Sequence, residues 1–187
     1  MILLTLGVLL FTLIHLYPCF AVVHRARLRE RLGENRYKGL FSLLVFVAIG
    51  CILAGWRSAS PMPLYFLPAW GPMLVMAAMP VALILLCAGQ GASHLRRWLV
   101  HPQLLGTLLW ACAHLAVNSE ARSLVLFGGI GAWALVSIVW ISVRDWRTKP
   151  RPAATWQGTG ISVGAGLMLT ALLVFWGHGW LTGIPLH

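Results

Sequence analysis

The sequence predicts an all-α integral membrane protein, a six-transmembrane-helix bundle with both termini on the non-cytoplasmic side (N-out/C-out). Three observations lead there. The 187 residues are 59% hydrophobic and only 10% charged, against about 25% charged in an average soluble domain. The apolar residues fall into six runs, each near the roughly 20 residues a helix needs to cross the hydrocarbon. The basic residues fall almost entirely on one side of those runs. The length fits one domain over 1–187, with no room for a separate soluble unit.

The runs lie at about 2–23, 40–56, 69–89, 99–117, 124–143 and 160–178. All are read as helices, because a lipid-exposed strand or loop leaves its backbone polar groups unsatisfied. The first run is read as a span and not as a cleavable signal peptide. No basic region precedes it, and no small-residue cleavage site follows its apolar core. Its positive flank, HRARLRERLGENRYK, comes afterwards. Pro18 and Pro80 stand inside runs and are expected to kink them, and Pro18 takes the usual donor away from the Ile14 carbonyl.

Orientation follows from the loops. Six basic residues (Arg25, Arg27, Arg29, Arg31, Arg36, Lys38) sit in the first loop. Arg96 and Arg97 sit in the third, and Arg144, Arg147, Lys149 and Arg151 in the fifth. Only Arg57 and Arg122 fall on the opposite side. The positive-inside rule then places the odd-numbered loops in the cytoplasm. Tryptophans mark the edges: Trp56, Trp70, Trp176 and Trp180 on the outer boundary, Trp98, Trp146 and Trp156 on the inner. The net charge of +10 is explained by these flanks and the anionic membrane surface, so the expected partner is the lipid bilayer and not nucleic acid. Gly160 and Gly164 form a GxxxG, and Gly128, Gly129 and Gly131 cluster in the fifth run; both predict close helix–helix contact, within the chain or with subunits of a membrane complex.

Chemistry has few places to sit. Glu30, Glu34, Glu120 and Asp145 all lie in loops or at span ends, which excludes a paired-carboxylate mechanism inside the membrane and disfavours charge-coupled transport. Cys19, Cys51, Cys87 and Cys112 lie in apolar runs without a CxxC and read as packing residues. The intramembrane polar groups are mainly His15 and His114. Counting about 1.5 Å per residue, His15 lies about 12 Å from the inner end of its span and His114 about 19 Å from the start of its own, so both are near mid-membrane. Neutral imidazole is a good haem-iron ligand, and bundle cores hold such cofactors. The alternative is a buried histidine hydrogen-bonded to a carbonyl. His101, before Pro102 at the expected start of the fourth helix, reads as interfacial, His24 and His94 as solvated, and His178 and His187 as peripheral.

Three stretches carry a family resemblance: His15 with the basic loop and RLGENRYKGLFSLLVF after it, HPQLLGTLLWACAHLAVNSE at 101–120, and SLVLFGGIGAW at 123–133. In order and spacing the chain resembles the NnrU family, a six-span family related to plant zeta-carotene isomerase. The resemblance implies a multi-pass protein of the bacterial inner (plasma) membrane, associated with denitrification through nitrite and nitric oxide reduction. It also implies haem b with histidine ligands; by residue matching these fall on His15 and His114, with His101 a competitor. A second resemblance is to integral-membrane methyltransferases that bind S-adenosylmethionine through an RHPxYxG stretch. Here His101, Pro102 and Gly106 match, but Val100 replaces the Arg, Leu105 the Tyr, and the acidic C-terminal stretch is missing. A third possibility is an accessory or assembly subunit without chemistry of its own, packed through its glycine faces.

Overall fold

The computed structural model describes residues 1–145, 153–184 and 186. Trp146, Arg147, Lys149, Arg151 and His187, used above, lie outside the described residues. The chain is helical: α1 Ile2–Phe20, α2 Val22–Leu32, α3 Glu34–Ser58, α4 Gly71–Ala88, α5 His94–Trp98, α6 Pro102–Leu115, α7 Ala121–Arg144 and α8 Trp156–Thr182. Five of these, α1, α3, α4, α7 and α8, are long and apolar enough to cross a membrane, so the chain is a multi-pass helical membrane protein. The remaining apolar helix, α6, has 14 residues. Its start at Pro102 follows from chemistry, since a proline at the first helical position gives up no needed N–H.

The basic first loop is itself helical, which the charge pattern did not reveal. Arg, Leu and Glu are good helix formers, and α2 forms from them with no buried residue. It stops at Gly33, whose φ of +78° suits a residue without a Cβ. Across this junction Glu34 pairs with Arg29 at 2.5 Å and Lys38 at 3.1 Å, and its charge suits the N-terminal turn of α3. The pairs are exposed and worth little in stability; their effect is to fix where α3 begins.

The helices pack in the order α3, α1, α7, α6, α4, α8, and the last turn of α8 returns to α3. That return is held by Arg57 Nη2 donating to the Trp180 carbonyl at 2.6 Å and Trp56 Nε1 donating to the Thr182 carbonyl at 3.3 Å. Glycines set the close approaches. A Cβ on Gly7 would lie 2.8 Å from the Ile52 backbone N, and one on Gly55 would run into the Leu4 backbone, so α1 and α3 meet nearly backbone to backbone. Gly106 does the same for α6 against the Ala82 carbonyl of α4, and Gly129 of α7 makes room for the Val8 side chain of α1.

Within the chain, two sequence expectations change. Gly160 and Gly164 have nothing within 4 Å of a Cβ; α8 approaches α4 through Gly166, where a Cβ would lie 2.5 Å from the Ile84 Cα. Spacing shows which glycines share a face, whereas the neighbour's position decides which face is used. Trp56 is 5% exposed and is no boundary residue. It lies beneath the Arg122 guanidinium, 4.5 Å from its ring centroid. Trp70, Trp98, Trp156, Trp176 and Trp180 remain exposed.

Loop contacts define two ends of the bundle. At one, Leu64 N donates to the Ser119 carbonyl at 2.8 Å and Ala121 N to the Met62 carbonyl at 2.9 Å. Tyr65 donates its hydroxyl to the Leu115 carbonyl at 2.6 Å. The second and fourth loops are thereby joined. At the other end, Thr155 N donates to the Ala92 carbonyl at 2.8 Å, and Arg144 Nη1 reaches the Cys19 carbonyl at 2.8 Å. Helix α6 therefore joins opposite ends of the bundle despite its length. Arg57 and Arg122 stand at the first end, and both are braces. Arg122 is bound to Glu120 at 2.5 Å and to the Trp56 and Ala59 carbonyls at 3.4 and 3.3 Å.

Candidate functional site

His15 lies in the last turns of α1, facing α3 and α7. Its ring stacks on Phe11 at 4.1 Å between centroids and meets the edges of Trp133 at 5.2 Å and Phe41 at 5.5 Å. Its Nδ1 is 2.8 Å from the Phe11 carbonyl oxygen. A carbonyl only accepts, so Nδ1 carries the proton. In the neutral ring Nε2 then holds the free lone pair.

His114 repeats the arrangement near the C-terminal end of α6. Its Nδ1 donates to the Trp110 carbonyl at 2.9 Å. Its ring stacks on Phe127 at 4.6 Å and tilts against Trp110 at 5.2 Å. Phe127 belongs to a π-helical turn, Leu124–Gly128. Such turns widen the helix locally and recur at functional sites. A second π-helical turn, Leu173–Gly177, stands immediately before His178. The Nδ1 of His178 is also on a backbone carbonyl, that of Ile184 at 2.7 Å.

The two intramembrane histidines thus point their Nδ1 atoms at separate carbonyls, as the alternative reading of them expected. This does not compete with ligation. A ligating histidine is commonly oriented by donating its other ring nitrogen to a carbonyl. The aromatic partners of the two rings, Trp133 and Phe127, lie six residues apart on α7, about 9 Å of helical rise. The antiparallel course of α1 and α6 makes the side chains lean toward each other, because each leans toward its own N-terminus. Phe11 and Trp110, each beside its own histidine, pack against the apolar cluster of Leu4, Val8, Ile52 and Ile130.

His101 is the N-cap of α6. Thirteen residues, about 20 Å of helix, separate it from His114, so the structure does not bring these two together. A cleft of about 460 Å³ opens at the His101 end, between the end of α4 and the start of α8, lined in part by Gln90, Thr155, Gln157 and Ser162. His15, His101 and His114 are not among its lining residues.

Sequence reasoning singled out the two imidazoles but not their surroundings. Trp133 closes the third matching stretch and Phe127 lies inside it, yet neither position has a periodicity that marks it as a histidine neighbour. Phe11 did carry a signal, since a residue four before a helical histidine stands on the same face. Among the described residues no group of three or more His, Cys, Asp or Glu side chains could hold a metal ion.

No curated protein and no solved structure matches the chain. The model of one protein family, described as NnrU protein, matches residues 3–186, nearly the whole chain, and the chain belongs to the NnrU family.

Proposed function

We propose that the chain is a six-span protein of the bacterial inner membrane, N-out/C-out, in which His15 and His114 would hold haem b, in support of nitrite and nitric oxide reduction. The observation that carries the cofactor is the shared state of the two histidines: Nδ1 pinned to the carbonyl four residues back, Nε2 left with its lone pair, aromatic rings on the flanks. When bound, haem supplies one-electron chemistry at iron. The residues orient the two Nε2 atoms and keep the surroundings apolar. The denitrification role rests on the family resemblance.

What supports six crossings is that α6, whose rise is about 21 Å, joins opposite ends of the bundle and is continued by apolar Leu99, Val100, Ala116 and Val117. What supports the orientation is the basic cluster at the end where α1 and α7 finish.

The test is the absorbance spectrum of full-length protein produced with ample haem. A Soret band is expected. His15→Ala abolishes it, His114→Ala abolishes it or shifts it to a five-coordinate form, and His101→Ala leaves it. Wild-type protein without Soret absorbance ends the haem reading.

A further inference from the structure

One level inward of His15, the α1–α3–α7 junction holds hydrogen-bonding side chains in a setting that is otherwise apolar. Tyr37 is one turn inward of Phe41 on α3, and Ser137 one turn inward of Trp133 on α7. Phe41 and Trp133 both touch the His15 ring. Tyr37 is 7% exposed and Ser137 1%. The Tyr37 hydroxyl, the Ser137 hydroxyl and the Trp133 indole Nε1 are buried, and among the described residues none has a hydrogen-bond partner. The same holds for Nε of Arg25, whose guanidinium lies over the Tyr37 ring at 5.9 Å.

Buried polar groups are nearly always paired, and an unpaired one is costly. Several orphans at one junction therefore need a common account. Their chemistry narrows it. Indole and guanidinium N–H groups only donate, and both hydroxyls can donate. Ser137 does not take the usual helical escape of donating to the carbonyl four residues back. A set of donors with a cation at its inner edge fits an acceptor-only, negatively charged group. The adjoining aromatic wall of Phe11, Phe41 and Trp133 fits an apolar body attached to it.

We infer that Tyr37, Ser137, Trp133 and Arg25 form a carboxylate-receiving site at the inner edge of the aromatic shell around His15, for an amphiphilic ligand whose apolar body lies against the aromatic wall. Two sources share that chemistry: the propionates of a haem on His15, in which case the inference rests on the reading above, and the headgroup of a free fatty acid, in which case it does not. In either case the donors set the ligand's direction, carboxylate toward the cytoplasmic end and apolar body toward mid-membrane.

The test titrates purified full-length protein in detergent with three probes: haem b, haem b dimethyl ester and oleate. The proteins are wild type, the Tyr37→Phe/Ser137→Ala double variant and, as a surface control, Leu167→Ala. Both exchanges in the double variant nearly conserve volume, and thermal unfolding checks that it folds. Hydrogen bonds to a charged group correspond to roughly tenfold in affinity. Wild type and control should bind haem about tenfold more tightly than its ester, and the double variant should lose that preference while keeping its affinity for the ester. Equal affinity of wild type for haem and ester, with oleate binding indifferent to the double variant, overturns the carboxylate site and leaves His15 ligation standing. If no tetrapyrrole binds but oleate binds wild type and not the double variant, the site stands with a lipid acid and the haem reading falls. If no probe distinguishes wild type from the double variant, the orphan groups are satisfied by water and the inference is wrong.

Discussion

Gly164 and Gly166 stand two residues apart on α8 and should respond oppositely to alanine. A Cβ on Gly166 would lie 2.5 Å from the Ile84 Cα and 2.7 Å from its backbone N. Ordinary contact begins near 3.4 Å, so α8 and α4 must separate by about 1 Å. A gap of 0.5–1 Å forfeits roughly a quarter to a half of the dispersion well for the atoms involved, and overpacking of this kind costs about 1–3 kcal/mol. The obstruction is backbone, which cannot rotate away. Against this, Gly→Ala in a helix gains about 1 kcal/mol from propensity. At Gly164 only the gain applies, because nothing lies within 4 Å of the added carbon. The propensity term is common to both variants and cancels on comparison. Gly166→Ala should therefore be less stable than Gly164→Ala by about 1–3 kcal/mol, and Gly164→Ala at least as stable as wild type. Thermal unfolding in one detergent, followed by circular dichroism, measures the difference. If Gly164→Ala is the more destabilised of the two, the packing face of α8 has been assigned the wrong way round.

Three further outcomes are expected. A reporter fused after His187 should behave as periplasmic and the same reporter inserted near Asn35 as cytoplasmic; the reverse at either place contradicts the N-out/C-out reading. Arg122→Ala removes the bonds to Glu120 and to the Trp56 and Ala59 carbonyls together with the contact over Trp56. It should cost about 1.5–3 kcal/mol, the range for hydrogen bonds to a charged group, measured by unfolding in detergent; a loss no larger than that of the exposed Arg27→Ala would show that the brace carries no load. Burial raises the pKa of the Tyr65 hydroxyl. Since the folded value is the higher one, Tyr65's contribution is complete below its ordinary pKa of about 10 and is lost as pH rises through the raised value. Tyr65→Phe, which cannot donate to the Leu115 and Asn118 carbonyls, should flatten that alkaline decline in a pH series of melting temperatures, and an unchanged decline would assign it to another group.

The two histidines of the candidate site are conspicuous in the sequence alone. His15 and His114 stand out because lipid-buried chain carries so few polar side chains that each is conspicuous. Their ring partners were not legible. Phe127 reaches His114 from a π-helical turn, and Trp133 reaches His15 across a helix seam. Such contacts depend on how far one helix is rotated about its axis relative to the next, and no spacing within one helix records that. Tyr37 and Ser137 escaped notice for the same reason: a hydroxyl near a span end reads as solvated until a neighbouring helix covers it.

The amino-acid sequence by itself determined the class of fold, five of the long helices and the distribution of basic charge. All three follow from local transfer free energies: apolar runs partition into lipid as helices whatever their neighbours do, and cationic loops stay where they begin. Tertiary structure decided the rest. Two residues along a helix is about 200° around it, so Gly160 and Gly164 share a face with each other but not with Gly166, and only the position of Ile84 selected Gly166. It decided likewise that Trp56 is buried beneath Arg122 instead of lining a membrane boundary, and that a 14-residue α6 joins opposite ends of the bundle. Close packing is a relation between surfaces; each helix's sequence specifies its own surface, and the partner becomes defined only when the helices assemble.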